Sequence, residues 1–187
     1  MGQLTNPRGR VFVFESEIYI DDDPAMFLTV SSGLASEAQM AATSFAPESE
    51  MDGNPPLELW SNRSLIGLCY LNTSADTASE MDILEEGGTD DLYYHVEFDH
   101  IWIHEDHRGN GMGRMLTAIA AQHAASQIAE HLASRPESEA SVVFNAYLVS
   151  SGGESLYDIF TDSVERQLEI ISAHFGKELT YTNHGGW

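Results

Sequence analysis

The sequence predicts an α/β domain built on a mixed sheet. Runs of β-branched and aromatic residues alternate with long stretches of helical apolar spacing. The strongest strand signal, LYYHVEFDHIWI at 92–103, runs into a glycine-rich turn, HRGNGMG at 107–113, and then into a helical pattern. The second half reads strand, turn, helix, strand, helix, strand, an order that marks an α/β arrangement with a mixed sheet.

Taken in order, RVFVFESEIYI (10–20) predicts a strand stopped by DDDP, and AMFLTV (25–30) a second. LASEAQMAATSF (34–45) predicts a helix, followed by a turn-rich stretch through GNPP. LELWSNRSLIGLCYL (57–71) predicts a hairpin with SNRS at its turn. Residues 72–91 are polar and acidic, and read as a surface insertion holding at most a short helix. Beyond the glycine turn, Met112, Met115, Leu116, Ile119, Ala120 and His123 follow helical spacing. That helix extends to about Ser134, where Arg135-Pro136 stops it. ASVVFNAYLV (140–149) is a strand, SSGG a turn, 154–175 a helix ended by Gly176, and KELTYT a last strand.

A length of 187 residues with 42% hydrophobic residues suits one domain with a substantial core. The one cysteine, Cys69, rules out an intramolecular disulfide and a cysteine-rich zinc site, and sits in an apolar run as a small core residue. No stretch reaches the ~20 apolar residues of a membrane-spanning helix. A soluble, cytoplasmic protein is expected. Thirty acidic against eight basic residues give a formal charge of −22. Such a surface repels nucleic-acid backbones and anionic lipid and favours cationic partners. A heavily solvated surface is the plainer reading of the same charge.

A glycine-rich turn before a helix N-terminus suits an anion. Glycines take positive φ and let the backbone approach closely, while first-turn N–H groups lack intrahelical partners and carry the positive end of the helix dipole. The phosphate loop ending Gly-Lys-Ser/Thr does not match, because this turn ends Gly-Arg; nor does G-x-G-x-x-G match GNGMG. What matches is R-x-x-G-x-G, as Arg108-Gly109-Asn110-Gly111-Met112-Gly113 after the strand end Ile101-Trp102-Ile103.

This strand, turn and helix resemble motif A of the GNAT superfamily of N-acetyltransferases, clearly over residues 92 to about 134. The resemblance implies a GNAT-like fold, a mixed central sheet with helices on both faces, and acetyl-CoA as co-substrate. It implies that backbone N–H groups of Arg108, Gly109, Asn110, Gly111, Met112 and Gly113, with Arg114, bind the pyrophosphate. It implies too that Ile101, Trp102 and Ile103 pair with the pantetheine arm as an extra strand would. Glu105 stands where the family often has proline, and the early family helices are weak or shortened. In a chain of this charge, Arg108 and Arg114 stand where a phosphate-bearing cofactor needs compensation.

Acetyl transfer to an amine needs a neutral nucleophile, a polarised carbonyl and a proton for the leaving thiolate. Glu97 and Asp99, two apart on the strand, share a face, and mutual repulsion would raise one pKa toward base duty. Either carboxylate, or water, can serve. The family's acid is often a tyrosine on the helix after the next strand, and SLYDIF offers Tyr157, without the usual glycine-aromatic pair just after it. His100 and His104 share a strand face but stand ~13 Å apart at ~3.3 Å per residue, too far for one metal ion. No metal is expected. The acceptor implied is a cationic amine, small molecule or protein, with no nucleic acid or membrane partner, and a homodimer is compatible with the reading. The alternative is a non-catalytic acidic module on the same fold that engages a basic protein or mimics DNA.

Overall fold

A computed structural model describes residues 16–18, 26–43, 56–78, 81, 91–134, 139–146 and 151–184. The chain divides into two compact units, one formed by 1–70 with 100–116 and the other by 71–99 with 117–187. The α/β class with a mixed sheet holds.

In the first unit, β1 (Ser16–Ile18), β2 (Met26–Ser32), β3 (Leu57–Ser61) and the start of β4 (Ser64–Thr77) pair antiparallel in chain order. The expected hairpin turn is present: Asn62 and Arg63 take φ of 48° and 72°, the left-handed values that match a two-residue turn to strand twist. The register slips between Leu59 and Trp60. Of the strand expected at 10–20 only 16–18 falls among the described residues.

The interior of this unit holds a carboxylate. Glu58 is 1% exposed. Its Oε2 accepts from Ser31 Oγ at 2.9 Å and from Trp60 Nε1 at 3.1 Å, and its Oε1 from the Leu34 and Ala35 N–H groups at 3.0 and 2.9 Å. A buried charge needs such donors. They also explain why α1 (Glu37–Ala42) is shorter than the expected 34–45: Leu34 and Ala35 are held by Glu58, and Ser36 caps the helix in a reciprocal box with Gln39. Burial and then the Glu58 charge push the Tyr70 phenol upward.

In the second unit, β4 continues through Thr77, so residues 72–77 are strand and not insertion. Their polar side chains have partners on the next strand: Asn72 donates to Glu97, and Asp76 lies 3.7 Å from His95. Most of 79–90 lies outside the described residues. β5 (Leu92–Ile103) has the bounds expected of it, and its residues 92–97 pair parallel with β6 (Ala140–Asn145), from Leu92↔Ala140 to Glu97↔Asn145. β6 is shorter than the expected 140–149, and 147–150 lies outside the described residues. β7 (Leu179–Asn183) pairs parallel with β6.

Helix α2 (Met112–Ser134) follows its expected span. Within this unit it buries Ala120, Ala121, Ala124, Ala125, Ile128 and Leu132, a smooth alanine-rich stripe that lets helix and sheet approach closely. Helix α3 (Ser151–Phe175) starts three residues before the expected Glu154 and absorbs Gly152 and Gly153, which were expected in a turn. Glycine is tolerated there because the first helical turn has few intrahelical bonds to lose. Gly176, at φ 66°, ends α3 with Lys177 N–H bonded to the Ser172 carbonyl at 2.9 Å, a Schellman closure.

Both long helices lie on one face of this unit's sheet. Tyr94 meets His131 of α2 edge to face at 6.1 Å, and Phe98, two pairs of residues along, meets Phe160 of α3 at 4.8 Å. Leu92, Tyr94, Val96 and Phe98 are all buried on that face, while Tyr93, His95, Glu97 and Asp99 are half-buried on the other. Under α3, Tyr181 stacks on Phe144 at 6.5 Å. Its hydroxyl finds no hydrogen-bond partner among the described residues, and burial, then Glu169 and Glu165, push it up to about 12.

Two stability predictions follow from these carboxylates. Glu58→Gln puts an amide N–H against groups that donate, so at least one buried donor loses its acceptor at a cost of about 1–3 kcal/mol. The melting temperature falls at constant fold; an unchanged value contradicts the role assigned to Glu58. Glu165 is held above its ordinary 4.5 by burial first, then by Asp162 and Glu169. The folded state thus binds that proton more tightly than the unfolded one, and stability declines as pH rises from about 4.5 through the raised value. Glu165→Gln is therefore more stable than the parent near neutrality, the gap closing as pH falls toward 4.5; equal melting temperatures at neutrality exclude this.

Candidate functional site

In the first unit, the end of β5 passes into the turn through a short chain of backbone bonds. The His104 N–H donates to the Ile66 carbonyl of β4 at 2.8 Å. His104 Nδ1 accepts from the Asp106 N–H at 3.3 Å, capping one 3-10 turn at Glu105–His107. The Arg108 N–H then donates to the Glu105 carbonyl at 3.2 Å, and Arg108 Nε donates to the Ile103 carbonyl at 2.8 Å. Arg108 thus fastens the turn to the strand end. Its own N–H is already used, and the Ile103 oxygen already accepts one bond.

Gly109 and Gly111 take φ of 80° and 77°, the reason glycine stands at both positions. A Cβ at either would meet nothing within 4 Å. The side that glycine leaves bare is open space, as an anion seated on the backbone requires. Gly111 accepts the first helical bond from Met115 N–H at 3.0 Å, and Met112, 2% exposed, anchors the helix start in the interior. The N–H groups of Met112, Gly113 and Arg114 belong to the helix's first turn, which has no intrahelical acceptor for them. Arg108, Gly109, Asn110, Gly111 and Arg114 are exposed.

Gly67 on β4 sets how closely the strand end can lie. A Cβ there would stand 2.8 Å from Ile103 Cδ1, 3.2 Å from Leu59 Cβ and 3.3 Å from the Trp102 carbonyl oxygen. Ile101, Trp102 and Ile103 are half-buried. Trp102, His104 and His107 form a chain of ring contacts at 6.0 and 5.9 Å. Among the described residues no three His, Cys, Asp or Glu side chains are grouped to hold a metal ion.

In the second unit, Glu97 is half-buried and its Oε2 accepts from Asn72 Nδ2 at 3.3 Å. Asp99 lies on the same face, one alternation further on. Glu97 also ends the ladder with β6, opposite Asn145, so β5 runs six residues beyond its pairing with β6. Tyr157, 3% exposed, lies against Phe98 at 6.3 Å, and its hydroxyl donates to Asn183 Oδ1 at 2.8 Å. The two carboxylates and the tyrosine therefore occupy opposite faces of β5. Cys69 is fully buried, as read from its apolar run.

Asn72, Gly67 and Asn183 were not singled out in the sequence. Asn72 sat in the stretch read as insertion, Gly67 in an ordinary hairpin, and Asn183 beyond the expected end of the last strand. No helix among the described residues is long and apolar enough to cross a membrane.

No protein-family model, curated protein or solved structure matches the chain.

The close approach at Gly67 is directly testable. Gly67→Ala forces Ile103 or the Trp102 carbonyl to move, and overpacking of this kind costs about 1–3 kcal/mol. Trp102 fluorescence should shift along with a lowered melting temperature. A variant matching the parent in both would remove Gly67 as the spacer of the strand end.

Proposed function

We propose that the chain is an acetyl-CoA-dependent N-acetyltransferase of GNAT type, moving an acetyl group to a primary amine by direct attack in a ternary complex. The observation that carries this reading is the pair of left-handed glycines, Gly109 and Gly111, between β5 and the N-terminus of α2 within the sequence RGNGMG. Open space over both glycines and the first-turn N–H groups fit the pyrophosphate of the cofactor. Because the Arg108 N–H is committed to Glu105, the donors in this reading are those of Gly109 to Arg114, with Arg108 positioning the turn.

The cofactor supplies an activated thioester carbonyl. Glu97, steadied by Asn72, takes the proton that an ammonium must lose before it attacks; Asp99 or water are the other acceptors in reach of the same strand face. Tyr157 gives a proton to the departing thiolate. The acceptor is cationic, in keeping with a chain of charge −22. That same charge favours a second reading, a non-catalytic acidic module on this fold that engages a basic protein.

The discriminating experiment is thermal. Acetyl-CoA at 100 times its dissociation constant adds about 2.7 kcal/mol to native stability. Gly111→Val, strained at φ 77°, should stay folded and lose that gain. A panel of amines, followed by thiol release, then identifies the acceptor. Glu97→Gln should lower turnover most near neutral pH and less at high pH, where the amine is already neutral. Absence of both acetyl-CoA stabilisation and thiol release leaves the acidic-module reading in its place.

A further inference from the structure

A buried phenol bonded to an exposed amide is an unusual pairing to find on a candidate acid. Tyr157 is 3% exposed, and its ring is fixed against Phe98. Asn183, at the end of β7, is exposed, yet its backbone is held by the ladder with Phe144 and by the His184 N–H bond to the Phe144 carbonyl at 2.8 Å. The Tyr157 O–H points at Asn183 Oδ1, 2.8 Å away. In this arrangement the phenolic proton is already engaged, and Tyr157 offers other groups only lone pairs.

An asparagine carries an acceptor and a donor on the same planar group, and rotation about its last torsion is broad and soft. Turning the amide over presents Nδ2–H to the phenolic oxygen. The phenolic proton is then free to point elsewhere, and the donor now facing the oxygen favours the phenolate. We infer that Asn183 is the positioning residue of the Tyr157 acid, holding the proton at rest through Oδ1 and supporting its release through Nδ2. The inference rests on the acetyltransferase reading. As the tetrahedral adduct collapses, the carbon–sulfur bond breaks and its electron pair goes to sulfur. Sulfur takes the Tyr157 proton, Nδ2–H supports the phenolate, and the phenolate regains a proton from water. The ammonium's first proton goes to the carboxylate on β5, and the second, lost from the adduct nitrogen, goes to the hydroxide left when water re-protonates the phenolate.

The test compares Asn183→Asp, Asn183→Ala and Tyr157→Phe, singly and with each Asn183 change combined with Tyr157→Phe. An ionised aspartate accepts the phenolic bond but cannot donate. Asn183→Asp should therefore lower kcat roughly 10- to 100-fold near neutral pH with little change in KM for acetyl-CoA. Its kcat as a ratio to the parent should climb as pH falls and the new carboxyl regains a donor proton. Asp158 and His184, the exposed titratable residues next to the pair in sequence, are common to both proteins and cancel in that ratio. Asn183→Ala should lower kcat at all pH values, and neither change should slow Tyr157→Phe further, since a residue acting through Tyr157 has nothing left to position.

A structural role alone would lower the melting temperature with a flat ratio and additive double variants, and would overturn the inference. Parent-like kcat in Asn183→Asp beside a slow Tyr157→Phe would overturn it too. Full activity in Tyr157→Phe removes the acid and its positioning residue together. A parent protein that releases no thiol from any amine and gains no stability from acetyl-CoA instead marks failure of the underlying reading.

Discussion

Side chains on a strand alternate between faces, and along Leu92–Asp99 that alternation is locked by burial. Leu92, Tyr94, Val96 and Phe98 each lie almost wholly out of water on the face covered by α2 and α3. A slip of one residue would expose all four and drive Tyr93, His95, Glu97 and Asp99 into the apolar layer. At about 1.5–3 kcal/mol for each large apolar side chain, the register is held far more firmly than any single polar contact could hold it. The rest of the second unit inherits its geometry from this choice. Val142 and Phe144 of β6 share the buried face through the parallel register, and Tyr181 and Asn183 of β7 share it in turn.

The placement of the candidate chemistry is a consequence of that register. Glu97 is on the half-buried face because Phe98 is on the other, and Tyr157 meets Phe98 because α3 covers the apolar side. Asn72 reaches Glu97 only because β4 runs on beyond Leu71. The polar letters of 72–77 mark a strand with one polar face and not an excursion into solvent.

In the first unit the organising groups are polar and buried. Glu58 collects side-chain and backbone donors that would otherwise be orphaned, and in doing so it sets where α1 begins. Arg108 plays a comparable part at the surface, joining the glycine turn to the strand end it follows. In both cases a charged side chain fixes a loop by accepting from or donating to its backbone, the means by which an irregular segment acquires one conformation.

Legible from the amino-acid letters were the α/β class, the full span of β5, the start and end of α2, the hairpin turn at Asn62-Arg63 and the positive-φ glycines ahead of the helix. These are legible because each depends on local causes: period, turn chemistry, and the steric freedom of glycine. The remainder depends on contacts made only in the folded chain. The extension of β4 through Thr77, the close approach at Gly67, the donors around Glu58 and the bond from Tyr157 to Asn183 bring together residues far apart in the chain, as in Leu34–Glu58, Tyr157–Asn183 and Gly67–Ile103, separated by 24, 26 and 36 positions. No local pattern encodes such pairs. They exist only once strand register has placed distant residues side by side, and register is set by burying one apolar face in full.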